Sequence, residues 1–314
     1  MKIIPKNIRY FSLFLSFFVF LASSFAGNRS GTVGGQFLKL PTDARAVAMG
    51  GSVVAVAEGA SSLAYNPSGM TSISGTTVSF TYTPWFADIQ HSFVGLATSL
   101  DEFGTIGIGA TMLATDDMPV TTNAYPEGTG EYFRAADYAF HLAYAKNISD
   151  KFSVGLAGKY IYSSLYNNKT TATSIAFDIG TLYDMPEIRT RLGVSLNNLG
   201  NDIQYLKEPY SLPTSLRFGA VVTLVQEDEQ RLLSTLQVGR PNDADEQYNV
   251  GAEYIFNDMF ALRGGYKFVY DVESFTAGFG LNLLSMGFSG ELNYGYNHFD
   301  VLPGTHTISF ELGF

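Results

Sequence analysis

Apolar and polar residues alternate with a period of two along most of the chain, from Thr77 to Phe314. This alternation predicts β-strands whose successive side chains point to opposite faces. In residues 275–283, one face carries Phe275, Ala277, Phe279, Leu281 and Leu283, and the other carries Thr276, Gly278, Gly280 and Asn282. Segments of roughly ten residues with this pattern are typical of transmembrane β-barrels. Soluble β-sandwiches usually have strands of about five or six residues.

The number of such segments predicts a closed barrel. We predict an all-β fold, a transmembrane antiparallel β-barrel of about 14 strands over residues 75–314. An even number of strands closes edge to edge, and closure satisfies the backbone groups that lipid cannot. The predicted strands begin near Thr77, Gln90, Gly104, Ala135, Lys151, Ala172, Ile188, Thr214, Arg231, Glu246, Met259, Ser274, Met286 and Thr305.

The connections between the predicted strands alternate roughly between short and long. Tight turns are predicted at Asn257-Asp258 and at Ser285, and long polar loops at residues 116–134, 198–213 and 225–230. Long loops of outer-membrane barrels are extracellular and short turns are periplasmic. The loop lengths therefore predict which end of the barrel faces outward.

A segment before the first strand breaks this periodicity. Residues 27–74 are rich in Gly, Ala and Ser, and we predict that they form a hatch inside the barrel. The pair Gly50-Gly51 disfavours a stable unaided helix, while residues 60–65 could form one or two helical turns that stop at Asn66-Pro67. The alternative is a flexible periplasmic tail.

Four residues of this segment form the candidate hatch motif, namely Tyr65, Asn66, Pro67 and Gly69. Pro67 fixes its own φ and restricts Asn66. The amide of Asn66 can satisfy backbone groups that a turn leaves open. Gly69 can take a positive φ that a residue with a Cβ resists. We therefore predict a fixed turn at this motif, which a solvated tail would not need.

The N-terminus has the features of a secretory signal peptide. Lys2, Lys6 and Arg9 precede an apolar run at residues 10–21, and small residues follow at the spacing of a cleavage site. We predict a signal peptide over residues 1–26. An N-terminal membrane anchor is the alternative, but the apolar run is shorter than the about 20 residues that a spanning helix needs. An exported barrel indicates the outer membrane of a Gram-negative bacterium.

Composition excludes several classes of function. The chain has no Cys, which rules out disulfides and thiol chemistry, and its formal charge of -10 with no basic run argues against nucleic-acid binding. Its four His are scattered without metal-ligand spacing. His91-Ser92 is no catalytic pair by adjacency alone. We therefore predict no catalytic residue, no metal and no cofactor, and a protein that is not an enzyme and whose surroundings are outer-membrane lipid.

Charged residues on the predicted lumen faces are the second group of candidates. They could line a polar conduit, hold the hatch by ion pairs, or form the solvated interior wall that every wide barrel needs. The lumen-facing charged residues are Lys159, Asp178, Arg217, Glu253, Arg263, Lys267, Glu291 and Glu311.

The opening segment resembles the PorV/PorQ family of outer-membrane proteins, which are similar to FadL-type transporters. The residues that carry the likeness are Phe37-Leu38-Lys39-Leu40-Pro41, Ala44-Arg45-Ala46-Val47-Ala48-Met49-Gly50-Gly51, Val54-Ala55-Val56-Ala57, Tyr65-Asn66-Pro67-Ser68-Gly69-Met70 and the turn Leu196-Asn197-Asn198-Leu199-Gly200. Ser68 stands where the family usually has Ala. The resemblance implies a 14-stranded barrel with an N-terminal hatch.

The resemblance also implies a choice of functions. PorV-like members work with the type IX secretion system, where they bind secreted proteins that carry a C-terminal secretion signal and contact secretion-complex subunits. FadL-like members move hydrophobic solutes across the outer membrane. A small-solute porin is a third hypothesis, which the predicted hatch disfavours. A transporter should have an apolar pocket beside the hatch, and a cargo carrier should have a wide extracellular opening or a lateral gap.

Overall fold

The computed structural model describes residues 31–166, 170–284 and 287–314. The predicted signal peptide, residues 1–26, lies outside these residues. The turn predicted at Ser285 and the strand start predicted at Met286 also lie outside them. The strand expected near Met286 begins at Gly290.

Fourteen strands form a closed antiparallel barrel in which each strand pairs with its neighbours, and the first strand pairs with the last to complete the ring. This confirms the predicted fold. Four two-residue strands form two small ribbons in the loops. The strands are β1 (Thr76–Pro84), β2 (Ile89–Ser99), β3 (Thr105–Thr115), β4 (Met118–Pro119), β5 (Tyr132–Phe133), β6 (Ala136–Ser149), β7 (Phe152–Ser164), β8 (Thr171–Met185), β9 (Thr190–Gly200), β10 (Ile203–Gln204), β11 (Pro209–Tyr210), β12 (Ser215–Glu227), β13 (Gln230–Pro241), β14 (Gln247–Phe256), β15 (Phe260–Phe268), β16 (Glu273–Asn282), β17 (Gly290–Phe299) and β18 (Thr305–Gly313).

The two faces of the barrel wall follow the period-two pattern of the sequence. On β16, Phe275 and Phe279 are exposed on the outside, whereas Thr276 is buried inside. On β6, Phe140 and Leu142 are exposed, whereas His141 is buried. The outer face is therefore apolar and the inner face polar, as a wall in contact with lipid requires. Within the described residues, no helix is both long and apolar enough to cross a membrane.

The two ends of the barrel differ in their connections. The loops at residues 116–135 and 201–214 lie at one end and carry the ribbons β4–β5 and β10–β11. We assign this end to the extracellular side because long loops lie there in barrels of this kind. The predicted long loop at residues 225–230 is wrong: β12 continues to Glu227 and β13 begins at Gln230, which leaves a tight turn at the periplasmic end.

Residues 31–74, called the hatch from here on, thread the lumen from one end to the other. At the extracellular end, the Gly34 amide donates to the Ser211 carbonyl over 2.9 Å. At the periplasmic end, the segment leads into β1, where the Thr76 amide donates to the Phe314 carbonyl. Between these ends lie the α-helix α1 (Ala44–Ala48) and three 3₁₀-helices, Gln36–Lys39, Ala60–Ala64 and Pro67–Ser72.

The lumen accommodates the hatch because many inward positions of the wall are glycine. A Cβ at Gly155 would overlap the backbone of Pro67 and Ser68, and a Cβ at Gly180 would overlap the Asn66 side chain. At Gly251, a Cβ would lie 2.6 Å from the Met49 carbonyl oxygen. The glycines of the wall thus let two backbones approach more closely than any side chain permits.

Candidate functional site

The hatch motif sits at a helix start. Asn66 is completely buried and caps the 3₁₀-helix Pro67–Ser72, with its Oδ1 accepting from the Ser68 amide (3.3 Å) and the Ser68 hydroxyl (2.6 Å). The Asn66 Nδ2 donates to the Val54 carbonyl over 2.7 Å. Pro67 occupies the first helical position, which needs no backbone donor. The motif begins a helical turn and ties two parts of the hatch together.

One detail of the motif differs from the prediction. Gly69 does not have a positive φ. Its lack of a side chain matters because a Cβ would lie 2.6 Å from the carbonyl carbon and oxygen of Ala57. The Tyr65 carbonyl accepts from Asn197 Nδ2 of the wall over 3.0 Å, and burial raises the pKa of Tyr65. Close packing, and not backbone conformation, selects glycine here.

A buried ion-pair cluster joins the hatch to the wall. The guanidinium of Arg45 on α1 donates to both carboxylate oxygens of Glu253, over 2.8 Å and 2.9 Å. Arg263 donates to the same carboxylate over 2.5 Å and to the Asn293 amide oxygen over 2.6 Å. Glu253 is 1% exposed. One buried carboxylate thus bridges a cation of the hatch and a cation of the wall.

A more exposed chain of charges extends this cluster. Arg45 also contacts Glu58 over 3.1 Å, and Glu58 contacts Arg191 of the wall over 3.3 Å. Arg191 in turn contacts Asp184 over 2.6 Å. Burial lowers the pKa of Arg45, but the carboxylates of Glu253 and Glu58 outweigh burial and raise it above its usual value. Arg45 is therefore held as a cation inside the barrel.

Two acids on the last strands contact the hatch or lie beside it. Glu311 accepts from the Ala60 amide over 3.1 Å. The Ser309 hydroxyl donates to Asp43 over 2.7 Å. Glu291 is half-buried and lines the same periplasmic-side cavity of about 380 Å³ as Asp43 and Glu311. The hatch is therefore also fixed to β18.

Three of the four other predicted charges, namely Lys159, Asp178 and Lys267, pair within the wall. Lys159 contacts Asp178 over 2.6 Å and the Asn198 amide oxygen over 2.7 Å, and all three residues are buried. Lys267 contacts Glu273 over 2.8 Å. These pairs face a common cavity without attaching the hatch to the wall.

The predicted turn at residues 196–200 is wrong, because these residues belong to β9. The strand pairing shifts register between Phe177 and Ile179 of β8, opposite this stretch, and Asn198 has a φ of 59°. The Asn198 amide donates to Asp178 over 2.8 Å. The irregularity is a β-bulge, which re-aims side chains without ending the strand.

A cavity of about 400 Å³ lies above the hatch at the extracellular end. The spanning strands contribute mainly polar side chains and glycine. The hatch and the strand ends contribute apolar side chains, and the hatch adds Gln36, Lys39 and Thr42. Lining residues from the wall are Thr111, His141, Lys159, Asn197, Asn198, Ser215, Arg217, Gln237, Gly239, Gln247, Asn249, Lys267 and Glu273. Within the part of the chain that the structure describes, the Arg217 side chain has no hydrogen bond or ion pair.

The family comparison fits this hatch and barrel. The family described as Type IX secretion system protein PorV matches residues 23–241. The chain belongs to the PorV family. The match includes the hatch and the first nine barrel strands, so it confirms the resemblance that the hatch residues predicted. Among curated proteins, none matches this sequence.

Solved structures similar to this PorV-family chain are outer-membrane channels. The toluene transporter TodX of Pseudomonas putida has a TM-score of 0.62 at 12% identity, covering 92% of this chain and 100% of that one. The CymD monoaromatic hydrocarbon channel has a TM-score of 0.58 at 14% identity, covering 87% and 97%. A FadL homologue of Pseudomonas aeruginosa has a TM-score of 0.55 at 10% identity, covering 87% and 98%. At these identities the likeness concerns the fold.

Family and fold together place this PorV-family barrel in the outer membrane of a Gram-negative bacterium. Both are those of secretion or transport channels and not of enzymes. His91 and Ser92 lie on opposite faces of β2, since successive strand residues alternate. Among the described residues, no group of three His, Cys, Asp or Glu is arranged to hold a metal.

Sequence reasoning missed several residues that hold the hatch of this PorV-family chain. Arg45 and Glu58 carry charges in the hatch, and Gln237 accepts from the amides of Val53 and Val54 over 3.1 Å and 3.0 Å. A signal for the first two was present, because a charge inside a barrel must find a partner. Nothing in the sequence distinguishes Gln237 from other inward amides.

Proposed function

We propose that this protein is a type IX secretion component that binds secreted cargo at its extracellular end. The hatch bonded to the wall inside the lumen is the observation that carries the proposal, and membership of the PorV family supports it. The partners are secreted proteins with a C-terminal secretion signal and the subunits of the secretion complex. The C-terminal signal and the complex follow from the family resemblance.

The attachment of the hatch supports a binding role over a diffusion pore. The hatch is joined to the wall through the ion pair of Arg45 and Glu253, and its Asn66 side chain packs against Gly180 of the wall. A pore for small solutes would need this segment to leave the lumen, which would expose the buried charge of Glu253 and Arg263. Departure of the hatch would break the buried pair of Arg45 and Glu253, and breaking a buried pair typically costs about 3–5 kcal/mol.

A cross-linking experiment tests cargo binding. A photo-reactive amino acid replaces Tyr125, which is exposed in the long extracellular loop, and, as the control, Leu142, which is exposed on the lipid-facing side of β6. The experiment is done in the native host with a reporter that carries the C-terminal secretion signal. We expect a cross-link to the reporter from position 125 and none from position 142. A reporter that is secreted normally without this protein would contradict the proposal.

Transport of a hydrophobic solute is the second candidate function. Its support is the fold shared with the toluene transporter TodX. The wall of the extracellular cavity carries Lys159, Arg217 and Lys267, and an apolar solute would have to desolvate these groups at a cost. Toluene uptake by cells with and without the protein separates the two functions. Uptake that depends on the protein, with secretion unaffected, would favour transport.

We also propose the domain boundaries that follow from the sequence. Export by a signal peptide over residues 1–26 leaves a mature chain that starts near residue 27, a hatch that ends near residue 74, and a barrel from residue 75 onward.

A further inference from the structure

Among the described residues, one cation of the extracellular cavity forms no ion pair with a carboxylate. Its lining includes four cationic side chains, Lys39, Lys159, Arg217 and Lys267, and one carboxylate, Glu273. Lys267 pairs with this carboxylate, while Lys39 and Lys159 pair with acids of the surrounding wall, Asp243 and Asp178. Arg217 is left over, in a chain whose formal charge is -10.

The position of Arg217 gives it no carboxylate of its own. It lies on β12 opposite Ser195 of β9 and Gly239 of β13, and neither residue carries a charge. Tyr270 and Asp178 are the titratable groups whose charges favour the charged form of Arg217. Asp178 is already held by Lys159 and by the Asn198 amide.

A half-buried guanidinium without a counter-ion is unfavourable unless something else satisfies it. Guanidinium groups bind carboxylates through two parallel hydrogen bonds, and the geometry is specific to planar anions. The single unpaired charge matches a monoanion better than a dianion. A cavity of about 400 Å³ is within the size range of sites for small ligands.

We propose that this cavity binds a compact carboxylate, with Arg217 as its anchor. The same cavity is also lined by Lys159, Lys267, Asn197, Gln237 and Asn249. A volume of about 400 Å³ favours a compact ligand. The carboxylate is either that of a free small acid or the terminal carboxylate of a peptide chain, and the inference does not depend on the cargo-binding function proposed above.

The chain supplies its own reporter for this site. Its single tryptophan, Trp85, lines the same cavity and packs against Phe299 with ring centroids 5.8 Å apart. The full-length mature protein in a non-ionic detergent is titrated at constant ionic strength with butyrate and, separately, with its neutral isostere butyramide. Trp85 fluorescence is recorded throughout. Intact barrel structure is checked by the mobility of unheated protein in a gel.

We expect butyrate to give a saturable change and butyramide to bind about tenfold or more weakly, since the amide lacks the charge. Arg217→Gln should weaken butyrate binding by about tenfold or more. Arg240→Gln is the matched control because Arg240 lies one strand away with an exposed side chain, and it should bind butyrate like the wild type. Equal binding of butyrate and butyramide, unchanged binding by Arg217→Gln, or no saturable response of the wild type would overturn the proposal.

Two further arms complete the test. If Arg217→Gln does not fold, Arg217→Lys replaces it, since lysine keeps the charge but loses the two parallel hydrogen bonds. Weaker butyrate binding supports the proposal, and wild-type affinity overturns it. An acetylated alanine tripeptide with a free C-terminus, compared with its amidated form, identifies the source. Tighter binding of the free form than of butyrate indicates a chain terminus, and binding of butyrate alone indicates a free acid.

Discussion

Replacement of the bridging carboxylate, Glu253→Gln, tests how the hatch is held in place. The substitution keeps the size and shape of the side chain and removes its charge. Arg45 of the hatch and Arg263 of the wall both donate to this carboxylate. Both cations then remain inside the barrel without their shared acid, and we expect a loosened hatch in a barrel that still closes.

The magnitude follows from burial. Removing one partner of a buried ion pair typically costs about 3–5 kcal/mol. Arg45 retains its contact with Glu58, which is 46% exposed on its side chain, and a contact of that kind contributes at most about 1 kcal/mol. We therefore expect Glu253→Gln to lower the free energy of unfolding by about 3 kcal/mol. The matched control, Glu58→Gln, should lower it by about 1 kcal/mol or less.

Urea unfolding in detergent micelles measures the free energy of unfolding of both variants. The transition is monitored by the near-ultraviolet signal of the aromatic residues. The double variant Arg45→Gln/Glu253→Gln should cost less than the sum of the single variants, because the two residues are in contact. Equal effects of Glu253→Gln and Glu58→Gln, or full additivity with Arg45→Gln, would refute this reasoning.

Three further outcomes are expected. Gly155→Ala should destabilise the protein by about 1–3 kcal/mol in the same urea assay, because its Cβ would overlap the hatch backbone. The control Gly264→Ala should be near neutral, because the atom nearest to its Cβ would be 3.9 Å away. Equal effects of the two variants would contradict the close approach of hatch and wall. Phe279→Arg, at a position 53% exposed on the outer face, should destabilise the barrel by about 2–4 kcal/mol if the residue lies near the bilayer midplane. Refolding into vesicles at increasing urea measures this cost, and a harmless change would contradict the face assignment. The mature chain should begin near Gly27, which N-terminal sequencing of the outer-membrane fraction checks, and a start at Met1 would contradict the predicted signal peptide.

The barrel could be predicted from the sequence because its determinant is local. Alternate residues such as Phe275, Ala277 and Phe279 must face lipid, and that requirement imposes a period of two on each strand. The loop predicted at residues 225–230 was wrong because that prediction also relied on local alternation. At the end of β12 and the start of β13, the residues Gln226, Glu227, Gln230 and Arg231 are polar on both faces of the strands, so the alternation is lost there.

The details of the site depend on contacts that are distant in sequence. Arg45 and Glu253 are separated by 208 residues, and neither flanking sequence identifies the other as its partner. The bulge at Asn198 depends on a hydrogen bond to Asp178 across the sheet. Gly69 was assigned a turn conformation because positive φ is the usual reason for glycine, whereas its contact with Ala57 follows only from the folded hatch.

Planar-bilayer conductance of the wild type and of a variant that lacks residues 37–70 tests the sealed lumen most directly. The deletion removes α1, the hatch motif and Arg45, but leaves every barrel strand intact. We expect the wild type to stay closed and the deletion variant to insert as an open, ion-conducting barrel. Equal, closed behaviour of the two proteins would contradict a lumen sealed by the hatch.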